Sequence, residues 1–344
     1  MFYKNINNPY HHSVAHLKSI LLSKATIKFS TGQGNRIYIQ DGNLAKRDWI
    51  FIRLNNTSRV RLEYDENATL SLRTKPDGTY VITDDNESLI IAENVYIEKA
   101  IVHAPEQIFF ALYRNCSMGC KFCPLSKRID NPHYSLERIY ARIKAINIDQ
   151  VKSIGITSAY PQSLSARDIV DEIIFLIEKL KQLVGTSIPI GVSVKSPSKD
   201  DLLRLKECGV REVRLNVEIF NDELSKRLMP HKYNQDILQS IASACEIFGK
   251  NFVSSNMLVG VGESDEDLIN GVEALAALGA VATLYPYDIV EGSFEQFARP
   301  SAGRLYNLSI AQKKMFDKYE IDPNNLLTMC CACAASHIFP GKDL

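Results

Sequence analysis

Ile108-Phe109-Phe110-Ala111-Leu112-Tyr113-Arg114-Asn115-Cys116-Ser117-Met118-Gly119-Cys120-Lys121-Phe122-Cys123-Pro124 is an apolar run that passes directly into a loop carrying three thiols. An uninterrupted apolar stretch from Ile108 to Tyr113, free of Gly and Pro, reads as a buried strand. The same rhythm repeats downstream. Strands are expected at Val151 to Thr157, Ile188 to Val194, Glu212 to Glu218, Phe252 to Val259 and Val281 to Ile289. Helices between them carry start and stop signals: Ser198 with Asp201, then Gly209; Asn234 as a cap, then Gly249; Ser264 with Asp267, then Gly279. Over 168–184, Ile169, Ile173, Ile177, Leu180 and Val184 fall on one helical stripe that must face a sheet. Six such units are fewer than the eight of a closed barrel, so the pattern predicts an α/β fold with a partial (β/α)6 TIM-like barrel. A doubly wound sheet has the same periodicity and remains open at this point.

Upstream, the period is two. Val60, Leu62 and Tyr64 alternate with Arg59, Arg61 and Glu63, and turn signals stand at Asp41-Gly42, Asp65-Glu66-Asn67 and Pro76-Asp77-Gly78. This predicts a small antiparallel β domain over 1–100, after a short N-terminal helix, followed by the barrel with a cysteine-rich closing segment over 101–344. His11, His12 and His16 fit a solvated helix, and Gly32 and Gly34 fit turns, since neither follows a strand into a helix as a phosphate loop does.

Composition narrows the function classes. The 344 residues include 40 basic and 40 acidic side chains, which gives no electrostatic reason for nucleic acid or an anionic membrane as a partner. The N-terminal residues lack an apolar signal-type stretch, and the most apolar run, Ala274 to Tyr285, is shorter than the ~20 residues that span a bilayer. A cytoplasmic location is expected. In a reducing compartment, grouped thiols read as metal ligands or catalytic groups. Six of the eight cysteines are grouped, at Cys116, Cys120 and Cys123 and at Cys330, Cys331 and Cys333. Cys208 and Cys245 stand alone in amphipathic settings and read as core.

Cysteines spaced by three and then two residues can wrap one iron-sulfur cubane and leave its fourth iron without a protein ligand. A zinc site completed by a distant residue, in an interaction module without catalysis, is the competing reading. The loop resembles the signature loop of the radical S-adenosylmethionine (SAM) superfamily, with Phe122 just before the third cysteine. The resemblance implies a four-iron four-sulfur cluster on Cys116, Cys120 and Cys123, with SAM chelating the open iron and Phe122 against the adenine. It further implies reductive cleavage of SAM to a 5'-deoxyadenosyl radical, and a low-potential electron donor such as ferredoxin or flavodoxin. Met257 to Ser264, with Gly260, Gly262 and Glu263, is similar to the adenine-contacting segment of biotin synthase and its relatives. Arg214-Leu215-Asn216-Val217-Glu218 is similar to a strand of the lipoyl and biotin synthase branch, where Asn216 and Glu218 share one face. Two departures stand out: Met229-Pro230-His231-Lys232-Tyr233 replaces a SAM-binding arginine, leaving Lys232 or Arg227 as substitutes. Gly155-Ile156-Thr157 replaces a Gly-Gly-Glu run, leaving Thr157 and backbone carbonyls. Lys195, at the end of the third strand, can face the SAM pocket or solvent.

Near the C-terminus stands Met329-Cys330-Cys331-Ala332-Cys333-Ala334-Ala335-Ser336-His337. Read as a last strand closing the barrel, it puts Cys331 and Cys333 on one face, and both are candidate catalytic thiols. Cys330, Cys331 and Cys333, with Ser336 or His337, are also candidate ligands of an auxiliary iron-sulfur cluster. The resemblance implies sulfur insertion at an unactivated carbon, as in biotin and lipoyl synthases, with a carrier-bound substrate docking on the first hundred residues. Carbon-skeleton chemistry or methylation without sulfur donation is the alternative within the family.

Overall fold

In the computed structural model, residues 13–30, 40–41, 48–101, 103–127, 139, 141, 143–288 and 293–344 are described. Two sheets organise them. Strands β1 (Thr26–Phe29), β2 (Gln40–Asp41), β3 (Asp48–Arg53), β4 (Arg59–Tyr64), β5 (Leu70–Thr74), β6 (Tyr80–Asp84) and β7 (Ile90–Glu98) form the first. Most of its pairs are antiparallel, but β1 runs parallel to both β4 and β5, and β3 pairs with β7 to close the sheet into a small barrel. Closure removes the exposed edges that an open meander would leave. The expected turns form at Asp65–Ala68 and at Lys75–Gly78, where Gly78 adopts φ +81°. Gly32, Gly34 and Gly42 lie outside the described residues, as do His11 and His12. Helix α1 (Val14–Lys24) precedes the barrel, and its His16 ring packs 5.1 Å from Tyr306 rather than standing in solvent.

The second sheet decides between the two candidate architectures. Its strands are β8 (His103–Ala104), β9 (Gln107–Ala111), β10 (Ser153–Thr157), β11 (Ile190–Ser193), β12 (Glu212–Arg214), β13 (Val253–Val259) and β14 (Val281–Pro286). Neighbours follow chain order from β8 to β14, and β9 to β14 are parallel. A doubly wound sheet reverses its order at a switch point. A sequential order instead curls one way, which is the half barrel expected. Helices with described bounds after β9 include α2 (Ala166–Val184), α3 (Lys199–Glu207), α4 (Asp222–Leu228), α5 (Asn234–Phe248), α6 (Asp265–Ala277), α7 (Ala302–Lys318) and α8 (Met329–Cys333).

Local sequence explains these boundaries. Ser198 with Asp201 and Ser264 with Asp267 form capping boxes, and Ser165 with Asp168 forms a third that starts α2 two residues earlier than expected. Ile169, Ile173, Ile177 and Leu180 of α2 are fully buried. Asn234 is not the cap of α5; Tyr233 holds that position, and Asn234 bonds back to the Ile219 and Phe220 carbonyls. Strand β12 ends at Arg214, four residues short of Glu218, and β14 ends at Pro286, while Ile289 lies outside the described residues.

The largest correction concerns the C-terminus. Residues 329–333 are a short helix, not a closing strand. The helix sits against the starts of the parallel strands, where Gln107 Nε2 donates to the Met329 carbonyl at 3.1 Å. Glu212, at the start of β12, accepts from the Leu327 and Thr328 amides at 3.0 and 2.7 Å. Glycines make this approach possible: a Cβ on Gly155 would lie 2.9 Å from Met329 Sδ, and one on Gly191 would lie 1.7 Å from Thr328 Oγ1. Beyond it, Lys18 of α1 is fully buried and donates to Asp343 and to the Ala334 carbonyl, each at 2.7 Å. Asp343 also accepts from Ser58 of the small barrel and from the Phe339 amide.

Candidate functional site

The thiol loop leaves β9 at its C-terminal end, the face on which parallel barrels build their sites. The loop is tied down on two sides. The Ser117 amide and hydroxyl both donate to the Tyr160 carbonyl, at 2.8 and 3.0 Å, and the Lys121 amide donates to the Leu228 carbonyl at 2.9 Å. Gly119 turns at φ +65°, and the Cys123 amide closes onto the Cys120 carbonyl at 3.0 Å. Cys116 and Cys120 line a cavity of about 180 Å³. Its other walls come from the ends of β10, β11 and β12, including Thr157, Lys195, Arg214, Asn216 and Glu218, and from Lys232.

Of the residues singled out from sequence, this cavity brings together Cys116, Cys120, Thr157, Lys195, Asn216, Glu218 and Lys232, while Phe122, Cys123, the glycine segment and the C-terminal cysteines lie outside its lining. Lys195 faces it rather than solvent, with Nζ donating to the His231 carbonyl at 3.0 Å and to Met118 Sδ at 2.8 Å. Of the two expected substitutes, Lys232 and not Arg227 lines the cavity: Lys232 stands 3.9 Å from Glu218, whereas Arg227 pairs with Glu295 at 2.8 Å outside the lining. Asn216 and Glu218 lie beyond the regular strand; Asn216 Oδ1 accepts from the Asn256 amide, and Glu218 takes φ +63° beside an isolated bridge to Met257. A non-glycine residue held in the left-handed region is strained, and such positions concentrate at functional sites. Burial pushes the Cys120 thiol up to about 12, with Lys232 pulling the other way. Burial, followed by the Lys232 charge, lowers Lys195 below the usual lysine range.

Among the members that sequence reasoning missed, Tyr160 and Arg214 carry polar groups into the cavity. Tyr160 lines the cavity and accepts the Lys195 amide at its hydroxyl, but nothing in its local sequence marks it. Arg214 was legible: it precedes Asn216 and Glu218 by the same two-residue step that groups those two. Its Nη1 donates to Cys330 Sγ at 2.9 Å, so this guanidinium touches both the cavity and the C-terminal cysteines.

Gly260, Gly262 and Glu263 stand apart from the cavity lining. Both glycines take φ +106°, and a Cβ on Gly260 would press on Pro300 and the Ala298 carbonyl. Glu263 folds back, accepting from the Gly260 and Val261 amides at 2.7 Å each and pairing with Arg304 at 2.9 Å. It braces the loop. Phe122 packs with Val261, Leu228, Met229 and Tyr287 in a separate apolar cluster, which joins the thiol loop to this glycine segment.

The C-terminal cysteines divide. Because 329–333 is helical, Cys331 does not share a face with Cys333: it is 2% exposed and packs in the core, while Cys330 and Cys333 line a second cavity with Arg61, His103, Tyr285 and Ser336. His337 lies outside that lining, fully buried between Tyr285 and Phe339, its two ring nitrogens without hydrogen-bond partners among the described residues. Cys208 and Cys245 are half-buried beside the main core, as expected, and burial raises Cys245 to about 12. No disulfide joins any described cysteine, and no described helix is long and apolar enough to cross a membrane.

Known proteins share both the sequence and the architecture around the thiol loop. The profile of the Radical SAM superfamily matches residues 110–275. A biotin synthase from Endomicrobium trichonymphae is 30% identical over 48% of this chain and 50% of its own length. The chain thus spans about half of that curated relative. Among solved structures, methylornithine synthase superposes with a TM-score of 0.52 at 19% identity, covering 62% of each chain. The FeFe-hydrogenase maturase HydG from Carboxydothermus hydrogenoformans gives 0.50 at 16% identity, over 62% of this chain and 52% of that one. The thiol loop and strands β10 to β13 of the half barrel all fall within the stretch that is similar to the radical SAM superfamily.

Proposed function

We propose that Cys116, Cys120 and Cys123 hold a four-iron four-sulfur cluster, that SAM occupies the adjoining cavity, and that the chain abstracts hydrogen from a substrate on the same face of the half barrel. The observation that carries this reading is the cavity itself: two of the three loop thiols open onto it, opposite a cluster of polar and cationic side chains. The donor set fits the group: a cubane takes one thiolate at each of three corners, and Cys116 and Cys123 both lie close enough to act electrostatically on Cys120. Bound there and reduced by one electron, the cluster and SAM supply a 5'-deoxyadenosyl radical. The chain's own part is positioning. Lys232 and Lys195 suit the SAM carboxylate, Glu218, Asn216 and Thr157 suit its amino and ribose groups, and Phe122 with Gly260 and Gly262 suits the adenine. Cys116→Ala is expected to abolish reductive SAM cleavage, measured as 5'-deoxyadenosine released from anaerobically reconstituted protein. Cleavage at the parent rate would overturn the assignment, as would a colourless protein that retains zinc.

Sulfur insertion is the narrower reading favoured by the biotin synthase resemblance. It calls for a sulfur donor, and the C-terminal cysteines do not fit an auxiliary cluster as they stand: Cys331 faces the core, and Cys330 and Cys333 share a cavity of only about 10 Å³, close to the least that admits one water. Iron and sulfide counting separates the readings, since about eight irons per chain supports a sulfur donor and about four does not. A docking role for residues 1–100 toward a carrier-bound substrate, and ferredoxin or flavodoxin as electron donor, belong to the same proposal. Binding and reduction assays with those proteins test them.

A further inference from the structure

Cys330 and Cys333 are three residues apart on α8, and one helical turn puts Cα atoms at that spacing about 5 Å apart, within the range a disulfide spans. Both thiols border the same small cavity, whose lining contains Arg61 and no carboxylate. Arg214 Nη1 donates to Cys330 Sγ at 2.9 Å. Non-glycine residues in the left-handed region bracket the turn, Met329 at φ 56° and Ala334 at φ 49°, and His103 at φ 77° lines the cavity. Backbone held this way persists only where surrounding structure enforces it. The third thiol of the group, Cys331, is turned away into the core.

We propose that Cys330 and Cys333 form a redox-active dithiol that closes reversibly to a disulfide, and that Arg214 transmits its state to the cavity beside Cys116. Cys330, which is partly exposed and so need not be reached through the small cavity, attacks one sulfur of an external disulfide as its thiolate, making a mixed disulfide and releasing one thiolate. Cys333 then attacks the Cys330 sulfur, its proton and that of Cys330 ending on the two released thiols, so that two electrons pass from the pair to the external disulfide. Closing the bridge turns the sulfur that accepts from Arg214 into a disulfide sulfur, a poorer acceptor, freeing the guanidinium for the cavity it also lines. The pair is defined by its own geometry and does not depend on the radical chemistry proposed above.

The test equilibrates anaerobically reconstituted full-length protein in glutathione buffers of increasing oxidised fraction, then reads intact mass, peptide cross-links and iron content. A single Cys330–Cys333 bridge is expected in the parent and in Cys331→Ser, none in Cys330→Ser or Cys333→Ser, with the same iron content in all four. Arg214→Gln is expected to slow alkylation of Cys330 roughly tenfold. Iron and sulfide lost from Cys330→Ser or Cys333→Ser would show a cluster and overturn the proposal. So would a bridge through Cys331, or the absence of any bridge across the buffer range.

Discussion

Glu218 shows how much a single position is asked to do. It lines the loop cavity, stands 3.9 Å from Lys232, and is held at φ +63°, a conformation that glycine adopts without steric cost. Glu218→Gly is therefore expected to leave stability unchanged or raise it by up to roughly 1 kcal/mol while weakening SAM binding; thermal unfolding and equilibrium dialysis read the two effects separately. Gly191 is the opposite case. Thr328, which a Cβ there would strike at 1.7 Å, is pinned by hydrogen bonds to Glu212, so neither partner yields easily. Gly191→Ala should cost roughly 1–3 kcal/mol and loosen the C-terminal helix, checked by urea unfolding and limited proteolysis. Local spacing marked the loop cysteines, and resemblance to a strand of the lipoyl and biotin synthase branch marked Asn216 and Glu218, which the two-residue period then puts on one face. Tyr160 was invisible, since only the path of the chain after β10 brings its hydroxyl to Lys195.

At the scale of elements, what could be read was whatever a short segment dictates for itself. Ser264 with Asp267 and Ser198 with Asp201 cap their helices as expected, because the bonds close within three residues. The Asp267 carboxyl is held below its usual value, first by the Ser264 amide and then by Asn221 and the Ser264 hydroxyl. A depressed folded-state value stabilises above the unfolded one and is lost as pH falls through it. Asp267→Asn should thus lower stability by roughly 0.5–1 kcal/mol at neutral pH, and the gap to the parent should close as pH drops below 3.8; urea titrations at stepped pH measure it. Residues 329–333 could not be read this way. Cys-Cys-Ala-Cys has no strong local preference, and its helix is set by tertiary contacts with Gln107 and by the Lys342 ammonium on the Cys331 and Ala332 carbonyls. The expected strand β12 was likewise too long, because its later residues leave the ladder to build the cavity.

Across the whole molecule, the half barrel was legible from the number of repeating units, but its order was not, and chain-order pairing is what excludes the doubly wound alternative. Equally hidden was the joint between the first hundred residues and the last ten. Lys18 and Asp343 form a fully buried ion pair 2.7 Å apart, and Ser58 and Phe339 also donate to the carboxylate. Leaving one buried charge alone is far worse than removing both. Lys18→Met is expected to cost roughly 3–5 kcal/mol, and Lys18→Met with Asp343→Leu distinctly less, measured by a double-mutant cycle in urea. Arg214 has a different consequence for anyone dissecting this protein genetically. It is a party wall between two chemically armed rooms, so a lesion in either will masquerade as a lesion in the other. Phenotypes at the mouth of the barrel acquire meaning only when the thiols beneath it are scored in the same sample.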